Sequence, residues 1–528
     1  RDPSKNTTYL WRKDLDSNQE YKVDSGDLRI SWLVTGDNQD DKNQSLFFIS
    51  GNKEECQLYQ AQWLSKRKLG DFESLFDCSD GNLLNIKYHK QNHQFFYSLQ
   101  KEKFKPAQIY KFDVKTGTHY VISQPEPLGL GNHDIDISPN GEKLLIMRSD
   151  KNYHTQLFTL DLTSQKIDAH KKFTYFVNEA IWYHDSVKVL YHAPPPSHQI
   201  ISSHLNGSDQ QTLVSVSEYL SKDISLIKDK NSILFSTRTT NYNNRWITGK
   251  NNNTQLDHSI VYDILPTLLH QSEHYIFVSK RSGKSQVYYG NYRTGESRAL
   301  SQLTQYMIFR HIEVSADDKF LLLTNHNKAW KLPLQQLRKD KASIKSLDEY
   351  LIYSSEDHLT AANWLSPTLI ALTLRHEGKN QLTIHNIENK KNTMMDQQWS
   401  KAISDVKNDA FVYLSKAQDK NVYKVATSLL TTNKKIEANQ SEVITLESDY
   451  RQLKIHDDHF YFINDHQGKK RLNIVSLNSL NKPQQLNNNN KPKSIIIDDN
   501  YGYDISDAGI IISELKSREG DIHRTTRQ

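Results

Sequence analysis

Twenty-two histidines and two cysteines offer the most chemistry in this 528-residue chain. His89 and His93 stand four apart, as do His270 and His274. That spacing puts two imidazoles on one face of a helix, where they can share a metal ion. Both pairs sit among strand and turn signals, so no metal site is expected. His192 and His198 bracket the stiff run Ala-Pro-Pro-Pro-Ser, which reads as a plain connection rather than a binding mouth. The carboxylate pairs Asp457–Asp458 and Asp498–Asp499 read as turn formers. They serve as acid and base only if the fold sets partners opposite them. There is no Gly-x-Ser-x-Gly elbow with a following α/β segment, no phosphate loop and no dinucleotide fingerprint. The expectation is a chain that is not an enzyme, with no catalytic residue, no cofactor and no resident metal.

Cys56 and Cys78 are the whole cysteine complement, and nothing between them has zinc or CxxC spacing. They either close one disulfide or stay two unrelated buried thiols. The disulfide is preferred, because Cys56 opens a strand-like stretch and Cys78 ends its neighbour. Such a bridge stabilises by about 2–4 kcal/mol and belongs to an oxidising compartment.

Composition narrows the class. Apolar residues make up 36% of the chain and mean hydropathy is −0.73, low for a compact enzyme. Aromatics reach 10%, with 27 Tyr and 18 Phe, which argues against disorder. The 67 basic and 62 acidic residues leave +5, spread thinly, and clusters such as Lys66–Arg67–Lys68 are short. Nucleic-acid binding needs a concentrated basic stripe, so none is expected of this segment. No run approaches the ~18 apolar residues of a membrane helix, and the start carries no apolar leader.

The elements that would position any site emerge at a period of about 40–50 residues. The clearest copy runs Ile137-Ser-Pro-Asn-Gly-Glu-Lys-Leu-Leu-Ile-Met-Arg-Ser-Asp, then Gln156-Leu-Phe-Thr-Leu-Asp-Leu. It spells a strand, a turn in which Pro presets φ and Gly accepts φ > 0, an apolar strand and an alternating strand. Val314-Ser-Ala-Asp-Asp-Lys-Phe-Leu-Leu-Leu-Thr-Asn, Tyr275-Ile-Phe-Val-Ser-Lys-Arg-Ser-Gly-Lys-Ser-Gln-Val-Tyr-Tyr and Ile505-Ser-Asp-Ala-Gly-Ile-Ile-Ile-Ser repeat the pattern. Weaker copies begin near Asn82, Asn178, Asp223, Ala361, Ile403 and Gln452.

Repeats of this length are the blades of a β-propeller, each sheet burying its faces against its neighbours. The expected fold is all-β, with about ten or eleven four-stranded blades. That count exceeds one ordinary ring, which favours two packed propellers, the second inserted within the first, over one large ring. The outer strands in 1–24 lack inner partners and the copy in 497–528 spells only inner strands. The two chain ends are therefore expected to share a blade.

The Ser-Pro-Asn-Gly and Arg-Ser-Gly-Lys-Ser-Gln-Val-Tyr stretches resemble the repeat of TolB-type propellers over 137–162, 275–304 and 505–524. With Cys56-Gln-Leu-Tyr…Cys78 in its first full blade, the Asn- and Lys-rich array is also similar to the periplasmic part of CadC- or ToxR-like regulators. That resemblance implies a periplasmic sensor of a membrane-anchored transcriptional regulator, joined to the membrane by an upstream helix. It implies an unidentified small molecule or periplasmic protein bound at a propeller face, and leaves room for a homodimer. The rivals are a free-standing TolB-like scaffold and a propeller-fold carbohydrate-active enzyme.

Overall fold

The computed structural model describes residues 10–526 apart from intervening stretches, the longest being 25–29, 36–44, 432–440, 446–450 and 477–492. Asp498–Asp499 lie outside the described residues.

The turn chemistry acts as its residues dictate. Gly141 takes φ +75°, and Ser138 Oγ accepts the N–H of Lys143 at 2.9 Å. Gly131–Ile137 thereby doubles back on Lys143–Ser149, which pairs with Thr155–Asp161 and then Ile167–Lys172, all antiparallel. Asp457 and Asp458, at φ +46° and +55°, form the tight turn between Arg451–His456 and His459–His466. Leu144, Leu145, Ile146 and Met147 are all fully buried, so both faces of that strand are covered. Such a sheet is stable only with a neighbour on each side.

The chain forms two compact units, residues 1–237 with 521–528 and residues 238–520. It passes from the first to the second within Ser232–Thr248 and returns within Gly509–Thr526.

In the first unit, successive sheets cover residues 30–77, 82–123, 131–172 and 180–215. Each pair of neighbours encloses its own core: Phe47, Leu58 and Cys56 with Phe95 and Tyr97; Phe96 and Ile109 with Ile135 and Leu144; Met147 and Leu157 with Trp182 and Tyr191. The packing continues through Leu190 and Ile200 onto Ile224, Ile233 and Phe235. Cys56 and Cys78 form a disulfide, with Cα atoms 4.8 Å apart, inside the first of these cores. Leu10–Lys13 and Glu20–Val23 pair with each other, and Leu10 and Val23 pack on Leu46, Phe48 and Ala61.

In the second unit, four-stranded sheets cover 263–299, 311–354, 358–394, 399–445 and 451–497. A further sheet joins Asn500–Ser506 and Gly509–Thr526 to Ser232–Thr248, which also pairs with Asn252–Gln255. The first strands of consecutive sheets touch in turn, and Asn500–Ser506 returns to touch Asp263–Leu268. Trp246, Leu256 and Ile511 share a core with Leu268, Tyr275 and Phe277 at that seam. The circle is closed. Among the described pairings, the C-terminal strands thus take Ser232–Thr248 as their neighbour.

Among the described residues the 311–354 sheet carries a helical insertion, residues 333–350, with an α-helix at Leu334–Asp340, and the 399–445 sheet a single 3-10 turn at Thr427–Thr431. No helix among the described residues is long and apolar enough to cross a membrane.

Candidate functional site

The first strands of two sheets in the first unit, and the segments leading into two more strands, carry polar residues where a core strand would carry apolar ones. Alternation puts Asn85 and Lys87 of Asn82–His89 on one side, and likewise Asp134 and Asp136 of Gly131–Ile137. Glu179 precedes Ala180–Trp182, and Lys222 and Asp223 precede Ser225–Ile227. The fold gathers them. Lys87 Nζ lies 3.1 Å from Asp136 Oδ1, Lys222 Nζ lies 3.8 Å from Asp134 Oδ1, and Asn85 Nδ2 donates to Asp134 Oδ1.

Part of this cluster has a structural task. Asp136 Oδ2 accepts the backbone N–H of Trp182 on the next sheet at 2.8 Å. Glu313 does the same for Trp364, and Asp504 for Leu268, in the second unit. A carboxylate on one first strand clasping the next is therefore a recurring blade-to-blade device. Glu179 Oε2 similarly accepts the N–H groups of Asp223 and Ile224 at 2.8 and 2.9 Å.

Among the described residues Asp134 makes no such blade-to-blade clasp; it takes the N–H of its own neighbour Ile135 and the Asn85 amide, and it is 1% exposed. Burial raises its pKa to about 6, against the pull of Lys222 and Lys87. Burial, and then repulsion from Asp134, raise Glu179 to about 8. Burial alone would lower Lys87, but Asp136, Asp134 and Glu179 more than offset it and hold the ammonium charged. Asn85 Oδ1, on the side chain that donates to Asp134, is buried without a hydrogen-bond partner among the described residues, and so is Trp182 Nε1 in the core between this sheet and the next. The equivalent Trp364 Nε1 does have one, the carbonyl of Glu313 at 3.2 Å. Unsatisfied buried polar atoms next to displaced pKa values are the marks of a site that holds something else. Carboxylates held on either side of neutrality can also exchange protons.

The histidines singled out by spacing serve the hairpins. His89 Nε2 bonds the Gly141 carbonyl at 2.9 Å, while His93 Nδ1 meets the Tyr88 hydroxyl at 2.8 Å. His270 gives its backbone N–H to Asp318, and His274 stacks on Tyr289 at 4.6 Å. His192 is buried, which pushes its pKa down to about 4, with Lys222 adding to the effect. His198 packs edge-on against Tyr219. Among the described residues no group of three His, Cys, Asp or Glu side chains is placed to hold a metal ion. The central cluster was not singled out by spacing. Its signal is the polar run Asn132-His133-Asp134-Ile135-Asp136 just before a Pro-Asn-Gly turn, where a buried first strand belongs.

No family model matches the chain, and no curated protein matches its sequence. Solved structures similar to it include a putative TolB from Agrobacterium tumefaciens, at 10% identity over 55% of this chain and 87% of that one, with a TM-score of 0.36. An oligogalacturonate lyase from Vibrio parahaemolyticus matches at 13% identity over 73% and 98%, with a TM-score of 0.32. The tricorn protease matches at 10% identity and a TM-score of 0.31, over 94% of this chain, which spans 63% of that one. Two of these three are enzymes by name, so the expectation that the chain is not an enzyme does not stand. It rested on missing linear motifs, and in a ring of sheets a site is assembled from residues a whole repeat apart. The likenesses assign this chain no activity; its all-β propeller fold is read from its own sheets and their closure.

Proposed function

We propose that this protein is an extracytoplasmic ligand-sensing propeller whose binding site is the Lys87–Asp134–Glu179–Lys222 cluster of the first unit. One observation carries the reading. Asp134 is buried without the blade-to-blade clasp that accounts for Asp136, beside Asn85, whose Oδ1 has no hydrogen-bond partner among the described residues. The Cys56–Cys78 disulfide supports the compartment, since such bridges persist where the environment is oxidising. A ligand that prefers one packing of the first strands shifts the population of that state, which is all a sensor requires.

The finer reading is the sensory part of a membrane-anchored transcriptional regulator, supported by the repeat resemblance. Reading the gene upstream tests it: a membrane helix and a DNA-binding domain are expected there, and their absence rules it out. The binding claim is tested by a melting screen of small polar molecules against the wild type and Asp134→Asn. At least one compound should raise the wild-type melting temperature and leave the variant unmoved. Equal shifts in both proteins, or none in the wild type, overturn it.

A second reading is favoured by Glu179, which holds a proton near neutral pH while Asp134 sits lower. That pairing suits acid–base catalysis. Turnover of an oligosaccharide that is lost in Glu179→Gln selects this reading over passive binding.

A further inference from the structure

The 333–350 insertion walls a cavity of about 280 Å³ within the second unit. The other walls are the loop around Thr304 and the tight turn that leads from His326 to Lys328, with Trp330 behind. The insertion is anchored in the core of the unit. Leu334, Leu337, Ile344 and Leu347 are buried in the core with Leu300 and Leu303. Ile344 bridges to the preceding sheet, giving its N–H to the Leu300 carbonyl at 2.9 Å and accepting that of Gln302 at 2.8 Å. Arg298 ties down the helix end by donating to the Leu337 and Arg338 carbonyls. A wall fixed by its own core is preformed, which lowers the entropic cost of filling the space beside it.

The lining carries two ammonium groups and one carboxylate. Lys328, Lys345 and His326 line the cavity, against the single carboxylate of Asp348, which already accepts the Ser346 hydroxyl at 2.8 Å. His326 stacks on His358 at 6.4 Å, and Arg375 stands opposite His358 in the strand register. Burial first, then Arg375, Arg310 and His326, push the His358 pKa down to about 4. A polar, preformed cavity lined by two ammonium groups and one carboxylate suits a compact anion that can also take hydrogen bonds.

We propose that this cavity binds a small oxyanion, carboxylate or phosphate, at a site separate from the first unit's cluster. The full chain is titrated calorimetrically with succinate, with inorganic phosphate and with neutral glycerol, at constant ionic strength. Binding of at least one of the two anions is expected, and the anion that binds identifies the source. Glycerol should not bind. Lys345→Glu, at an exposed position, and Lys328→Gln should each weaken the anion by about tenfold or more, with the melting temperature reporting that the variants fold. Failure of both anions to bind the wild type, equal binding of glycerol, or undiminished binding by both variants overturns the proposal. Neither result touches the Asp134 site, whose test uses a different variant.

Discussion

Asp504 Oδ2 accepts the backbone N–H of Leu268 at 2.8 Å, joining two strands 236 residues apart in the chain. The same oxygen takes the Thr267 hydroxyl at 3.0 Å, and Lys454 Nζ meets Oδ1 at 2.6 Å. This is the point at which the second unit's circle of sheets closes.

Removing that carboxylate strands an ammonium and two donors in the interior. Asp504→Ala is expected to destabilise the second unit by about 3–5 kcal/mol, the usual cost of breaking a buried ion pair on one side. Urea unfolding checks it, as an earlier transition for residues 238–520. Burial would raise the Asp504 pKa, but Lys454 and the Leu268 N–H win and hold it below its ordinary 3.8. A depressed acid stabilises the fold above its unfolded pKa, so this contribution is lost only in strong acid, as pH falls through the folded value. An unshifted urea midpoint in Asp504→Ala would mean that the circle closes without the clasp.

Glu179 runs the other way. Its folded pKa, about 8, lies above the ordinary 4.5, so the folded state binds the proton more tightly than the unfolded chain. Stability should therefore fall as pH rises from about 4.5 to 8 and level off beyond. Glu179→Gln keeps an acceptor for the Asp223 and Ile224 N–H groups but cannot ionise. Melting curves across this range should be flatter for the variant, which should overtake the wild type at pH 8. A variant that follows the wild-type profile would show that Glu179 is already ionised at neutral pH.

Reduction of the Cys56–Cys78 bridge frees a 22-residue loop. The chain-entropy estimate for a loop of this size is about 3 kcal/mol. Differential scanning calorimetry with and without reductant should show the first unit melting earlier and the second unmoved. Movement of both transitions would contradict the assignment of the bridge to one unit's core.

How much of this was legible in the sequence follows from what is local. The Ser138–Gly141 turn and the Asp457–Asp458 turn announce themselves, because each fixes its backbone from within four residues. Alternation in Thr155–Asp161 likewise needs no distant partner. The strand that closes the second circle was not legible. Ser232–Thr248 is 17 residues long, and its neighbour Gly509–Thr526 comes from the other end of the chain. The central cluster was hidden for the same reason. Asn85 and Asp134 are 49 residues apart, and Glu179 and Asp223 are 44 apart, one sheet each. In the sequence every member looks like a stray polar residue in or just before a strand.

Hydrogen exchange of the backbone amides, with and without the compound that shifts the melting temperature most, tests the proposed site most directly. The account predicts new protection in Asn82–His89, Gly131–Ile137 and the segment around Lys222. Protection confined to outer strands such as Thr118–Ser123, or to residues 238–520, would contradict it.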